Sequence, residues 1–342
     1  MLAFRQMAYS AVRMAFIAIR GEAPSTPAVF SATLVAVTAL PFLMALAPDL
    51  LPPANATISA LALIHVPMTL YLLSDAEIRQ MVGRHPMRFI AVPVALFAVS
   101  IFASTGLPAE HQFWYWLPVA VWQNWHFGKQ NVGIYSMVRA AQRAGSMLPV
   151  ERRLIVVGSI LGALAAYFGS EELGGGNVPK DIELLWAPMV LRPVAAGAQF
   201  VLLFVSAFYV VRNRARVTST TAVIFMLSVN FFLPFYLIEL SLPNMFSMTL
   251  LAHGLQYLAV LGFHARSSKW TLAAYLGIGL LLAEIYSLHF VVPSWVYGPS
   301  ALGYGVAMGI LLAHFWFDSM IWRFKDPEGR AWMKRRFAFL FD

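Results

Sequence analysis

Apolar runs of roughly 20 residues alternate with short charged loops along nearly the whole chain, which predicts membrane-spanning helices, since crossing a bilayer takes about 20 mostly apolar residues. The runs fall near Ala28 to Ala47, Ala56 to Ser74, Met87 to Thr105, Phe113 to Val138, Leu154 to Gly169, Trp186 to Val211, Thr220 to Leu240, Asn244 to His264, Trp270 to His289 and Pro299 to Trp322. One stretch breaks the pattern. Phe113 to Arg139 is apolar enough at its ends to span, yet its middle holds Gln123, Asn124, His126, Lys129, Gln130 and Asn131. Polar side chains at membrane depth are costly, so they face a protein interior or a wet cavity and mark function by default.

The loops give an independent check, because Lys and Arg concentrate on the cytoplasmic side. Every Lys and Arg except Lys129, Lys180 and Arg192 falls at the N-terminus, in alternate loops, or in the tail that begins at Arg323. This division implies an all-α, polytopic bundle of about ten transmembrane helices with both termini cytoplasmic, a multi-pass protein of a bacterial inner membrane. Residues 1–342 read as a single transmembrane domain. Within it, 1–22 carries Arg5, Arg13 and Arg20 among apolar residues, as an amphipathic surface helix would. It lacks the cleavage pattern of a signal peptide. Residues 323–342 form a basic, aromatic cytoplasmic tail suited to an anionic membrane surface. The one long outer loop, 170–185, is made flexible by Gly174, Gly175 and Gly176.

Composition narrows the class further. With 60% hydrophobic and 12% charged residues and a mean hydropathy of +0.69, the chain lies outside the range of soluble domains. The net charge of +8 sits in scattered loops rather than on one basic face, which argues against nucleic acid. The absence of cysteine excludes disulfides and thiolate metal sites.

Four of the eight histidines, His65, His126, His253 and His314, lie inside spans, all in even-numbered ones. They stand about 9, 12, 11 and 8 residues from the cytoplasmic helix ends, or roughly 12 to 18 Å at ~1.5 Å per residue. Four imidazoles at one depth could close around a metal, for neutral imidazole is the commonest metal ligand and bundle sites use inward side chains of facing helices. The bland alternative is that each bonds a neighbouring helix separately. Residues four apart share a helix face, so His126 stands above Gln130, His253 beside Gln256 and above Tyr257, and His314 above Asp318, whereas His65 is given no polar companion. Gln130, Gln256, Tyr257 and Asp318 are therefore the candidate catalytic or ligand-orienting groups. Asp318 could instead pair with Arg323, and the two glutamines could simply bridge helices. Arg192 could pair with Glu239 or Glu284. Aromatic residues beside the histidines, among them Trp122, Phe127 and Phe315, could line a pocket for a long apolar ligand.

All-histidine sites in dry surroundings suit non-haem Fe(II), Zn or Cu. No HExxH is present, nor the paired carboxylates of di-iron bundles. A bis-histidine haem is the alternative cofactor. The His126-Phe127-Gly128 triplet and the four intramembrane histidines resemble the Brp/Blh-type membrane-embedded β-carotene dioxygenases. That resemblance implies a helical bundle, an iron held by four histidines, and cleavage of a carotenoid to retinal with O₂. The elements HFxxQNxG (His126 to Gly133), HxxQY (His253 to Tyr257) and HFxxD (His314 to Asp318) are similar to those of other bacterial polytopic membrane proteins, a likeness that lends no activity. The expectation is thus an iron oxygenase whose hydrophobic substrate enters from the bilayer and its lipids. Its alternatives are a proton-coupled transporter and a haem-, quinone- or pigment-binding subunit of a membrane complex.

Overall fold

The computed structural model describes residues 27–46, 64–168, 186–237, 242–264, 273, 276–279, 299–323 and 326–341. The expected surface helix 1–22, the long outer loop and most of the ninth span lie outside these residues, as do Glu239 and Glu284. Among the described residues all regular structure is helical. In chain order it comprises α1 (Pro27–Thr38), α2 (Leu40–Ala45), α3 (His65–Met68) running into a 3₁₀ segment (Thr69–Ser74), α4 (Ala76–Arg84), a π-helical turn (Met87–Ala91) and α5 (Val92–Gly106). There follow α6 (Ala109–Ala141), α7 (Pro149–Phe168), α8 (Trp186–Arg212), α9 (Ser219–Val229), α10 (Pro234–Leu237), α11 (Leu242–His264), α12 (Pro299–Ile321) and α13 (Pro327–Arg336).

Among the described residues, three stretches, Met87–Gly106, Arg192–Arg212 and Ala301–Ile321, are long and apolar enough to cross a membrane. The first two present large apolar side chains outward, including Val94, Phe102, Phe204 and Phe208, each more than half exposed. In water such a surface would aggregate; against lipid tails it is solvated. The chain is a helical membrane protein.

Helix contacts use small residues, as expected where lipid removes the hydrophobic incentive to associate and close approach must supply dispersion contacts. Gly305 and Gly309 of α12 lie against α5, where an added Cβ would sit 2.8 Å from Ile101 Cα and 2.7 Å from Phe97 Cδ2. On α7, Gly158 abuts the Val229 carbonyl and Gly162 the Phe232 ring. Gly128, the third residue of the HFG triplet, lets α6 close on Ser159 of α7.

Two expectations change. The seventh run does not continue as one helix from Thr220 to Leu240: α9 stops at Val229 and a turn precedes α10. Pro234 has no N–H to continue the ladder, and Asn230 at the C-cap gives its amide to Met226 O (2.9 Å) and Ser206 Oγ (3.3 Å) while accepting from Gln199 (3.2 Å). The basic tail, in turn, folds back on the protein. Trp332 of α13 is buried and donates through Nε1 to Asp75 (3.1 Å), which also binds Arg336 (2.7 Å). Arg335 with Glu77, Arg84 with Glu328 (3.1 Å) and Arg88 with Asp326 (2.7 Å) complete the dock. Burial pushes the Asp75 carboxyl up, but its bonds to Arg336, Trp332 and the Glu77 N–H outweigh that and hold it below the usual range. The Arg88 hydrogen bond draws Asp326 down likewise.

Candidate metal centre

α3, α6, α11 and α12 each contribute one histidine to a single spot. His65 opens α3, His126 sits mid-way along α6, and His253 and His314 lie within α11 and α12; all four are buried. The rings form a closed circuit: His65 to His253 4.7 Å, His253 to His126 4.9 Å, His126 to His314 5.4 Å, and His314 back to His65 4.8 Å between centroids. Two aromatic rings wall the circuit. Phe315 stacks on His126 at 4.4 Å and Phe127 lies 4.4 Å from His253. The triplet beginning at His126 thus gives the circuit a ring, a cover for a second ring, and a helix contact.

Ligand atoms of His65, His253 and His314 lie within 4.8 Å of one another, as do those of His126, His314 and Asp318, so either set could hold a metal ion. Two donors bound to one ion at ~2.1 Å can be at most about 4.2 Å apart, so closing on an ion takes a contraction of roughly half an ångström. Among the described residues, His126 Nε2, His314 Nε2 and both nitrogens of His253 have no hydrogen-bond partner. A buried polar atom left unsatisfied costs about 1–3 kcal/mol. Several of them facing one another form a donor set that a cation satisfies, which is the fit a metal requires.

Thr69 links the cluster through one hydroxyl. Its Oγ1 is 2.6 Å from His314 Nδ1, 3.1 Å from the Tyr257 hydroxyl and 3.3 Å from Asp318 Oδ1, which also accepts from Tyr257 (3.1 Å). The other ring nitrogen of His314, Nε2, stands 3.7 Å from Asp318 Oδ2, a distance too long for a hydrogen bond.

Of the sequence candidates, Tyr257 and Asp318 join this cluster, and Asp318 is held by hydroxyls rather than by Arg323. Gln130 and Gln256 bond across helices. Gln130 donates to His253 O (2.7 Å) and Gln256 Oε1 (2.8 Å), and Gln256 donates to Thr38 Oγ1 (2.8 Å) and Asn131 Oδ1 (3.0 Å). Their amides are spent tying α1, α6 and α11 together. Gln130 thereby supports the backbone that carries His253.

Thr69 is the residue that sequence reasoning misses. It stands four positions after His65, so the same-face rule assigns His65 a polar companion after all; its hydroxyl serves His314 on another helix, which spacing along α3 cannot reveal.

No protein-family model, curated protein or solved structure matches the chain. Function is therefore argued from the residues.

Proposed function

We propose that the chain is a ten-span inner-membrane oxygenase in which His65, His126, His253 and His314 hold one ferrous ion and a lipid-soluble, unsaturated substrate of the carotenoid or isoprenoid class is oxidised. The observation that carries this reading is the closed circuit of four buried imidazoles, three of which have unpartnered nitrogens. A metal without a porphyrin suits it better than haem, because each ring already has two others within 5.4 Å and a macrocycle between any pair would displace the rest.

When bound, Fe(II) supplies dioxygen activation. The chain's own residues do the remaining work. Thr69, bonded to His314 Nδ1, holds the ring in place with Nε2 available, as outer partners of ligating histidines commonly do. Phe127 and Phe315 stiffen two of the rings, and Trp122, 6.2 Å from Phe315, extends an apolar wall on which a conjugated chain can lie. The expected reaction is cleavage of a carbon–carbon double bond with each carbon taking one oxygen atom of O₂. Two carbonyl products form, the electrons balance without an external reductant, and no acid–base group is demanded beyond the cluster. The absence of a general-acid requirement also sets this reading apart from a proton-coupled carrier.

The test is to incubate the purified, iron-loaded protein in detergent with β-carotene under isotope-labelled dioxygen. Aldehyde products carrying one labelled oxygen each support the assignment. Loaded protein that leaves the polyene intact, alongside gradient-driven uptake by the same protein in proteoliposomes, overturns it in favour of a transporter.

A further inference from the structure

We infer that Asp318 is itself a metal ligand, through Oδ2, and that Thr69 and Tyr257 aim it by holding Oδ1. This rests on reading the histidine circuit as a metal centre and adds a donor of a different kind to it.

The two carboxylate oxygens have divided surroundings. Oδ1 receives the Tyr257 and Thr69 hydroxyls. Oδ2 points to His314 Nε2 at 3.7 Å, and that nitrogen has no hydrogen-bond partner. The spacing is too long for a hydrogen bond but inside the limit of about 4.2 Å for two donors sharing an ion. His126 closes the set, its ligand atom lying with those of His314 and Asp318 within 4.8 Å. Spacing along α12 makes this possible, since 314 and 318 are one turn apart on one face.

Electrostatics points the same way. Asp318 is buried, and among the described residues no Lys or Arg forms an ion pair with it; His314, the basic group beside it, holds Thr69 through Nδ1. Buried carboxylates are paired or coordinate metals. Two hydroxyls hold Oδ1, and Oδ2 stands beside His314 Nε2. His314 belongs to both donor sets, so its ring is shared between the group with His65 and His253 and the group with His126 and Asp318. A carboxylate in the set lowers the net charge of a bound dication to +1. It also favours Fe(II) or Mn(II) over Cu(I), which prefers softer donors. The histidine circuit is then completed by a hard oxygen ligand, and the site has the mixed donor character of non-haem iron centres that bind dioxygen at an open position.

Cobalt(II) titration of the detergent-purified, metal-free protein, followed by visible absorption, tests this. Asp318→Asn keeps the shape and removes the charge. It is expected to weaken cobalt binding by more than the roughly 100-fold ceiling of an outer-sphere change and to alter the absorption bands, with helicity and monodispersity unchanged. Because the chain has no cysteine, Asp318→Cys gives a second readout: a thiolate-to-cobalt charge-transfer band, which can arise only from position 318. Asp318→Asn with wild-type absorption and affinity within about threefold overturns the inference, as does Asp318→Cys that binds cobalt with no such band. Wild-type protein that takes up no cobalt is a separate failure, that of the metal-centre reading itself.

Discussion

Replacing Thr69 by valine removes, at nearly constant volume, the one hydroxyl that bonds both His314 and Asp318. The substitution deletes the 2.6 Å hydrogen bond to His314 Nδ1. Removing the group that orients a ligating histidine costs about 10–100-fold in metal affinity, equivalent to about 1.4–2.8 kcal/mol at 1.4 kcal/mol per decade. Thr69→Val should therefore bind cobalt(II) about 10–100-fold more weakly than wild type. Thr69→Ser keeps the hydroxyl and should recover to within a few-fold. Cobalt titration with visible absorption reads both variants, and thermal unfolding in detergent with and without metal reads the same difference as a smaller metal-induced gain. Thr69→Val binding as tightly as wild type, or Thr69→Ser binding as weakly as Thr69→Val, would show that the Thr69 hydroxyl does not position the metal-binding groups.

Other consequences are testable in the same preparations. Arg139 and Glu151 form a buried pair (2.8 Å), so Arg139→Met should lower stability by about 3–5 kcal/mol, and adding Glu151→Leu should return most of it in thermal unfolding. Gly158→Ala drives a Cβ into the Val229 carbonyl and should cost about 1–3 kcal/mol, whereas Gly197→Ala, with no atom within 4 Å of its added Cβ, should be neutral or slightly stabilising. The folded-state pKa values of Asp75 and Asp326 are depressed, so their contribution is fully present above the unfolded carboxylate value of about 3.9 and is lost as pH falls below it. Release of α13 on acidification, followed by pepsin cleavage near Trp332, should therefore begin below about pH 4, and Asp75→Asn should loosen the helix already at neutral pH.

How far the chain could be read in advance divides along a physical line. Hydrophobic periodicity fixes a residue's face and depth, and depth alone placed His65, His126, His253 and His314 in one layer, where the structure joins them. It says nothing about which helices are neighbours. Thr69 is therefore invisible as a partner of His314, although it lies one turn from His65. Gln130 and Gln256 share faces with His126 and His253, yet α1 and α11 lie close enough to claim their amides, with Thr38 as the acceptor that spacing could not supply. The run from Thr220 to Leu240 is mostly apolar, so hydropathy carries it through Asn230 and Pro234, although Pro234 has no N–H to continue the ladder. The docking of α13 escaped for a different reason: a basic stretch beside a membrane has two suitable anions, lipid headgroups and the protein's own acids, and only the fold shows Asp75, Glu77 and Glu328 within reach.

Metal analysis joined to X-ray absorption on the purified chain bears on all of this at once. One iron per chain, surrounded by nitrogen and oxygen donors at about 2.0–2.2 Å and absent from the variant with His65, His126, His253 and His314 all changed to alanine, is the predicted result. Protein that cannot be loaded with a stoichiometric metal, or that keeps its metal after all four changes, would reduce the histidine circuit to a set of interhelical packing contacts.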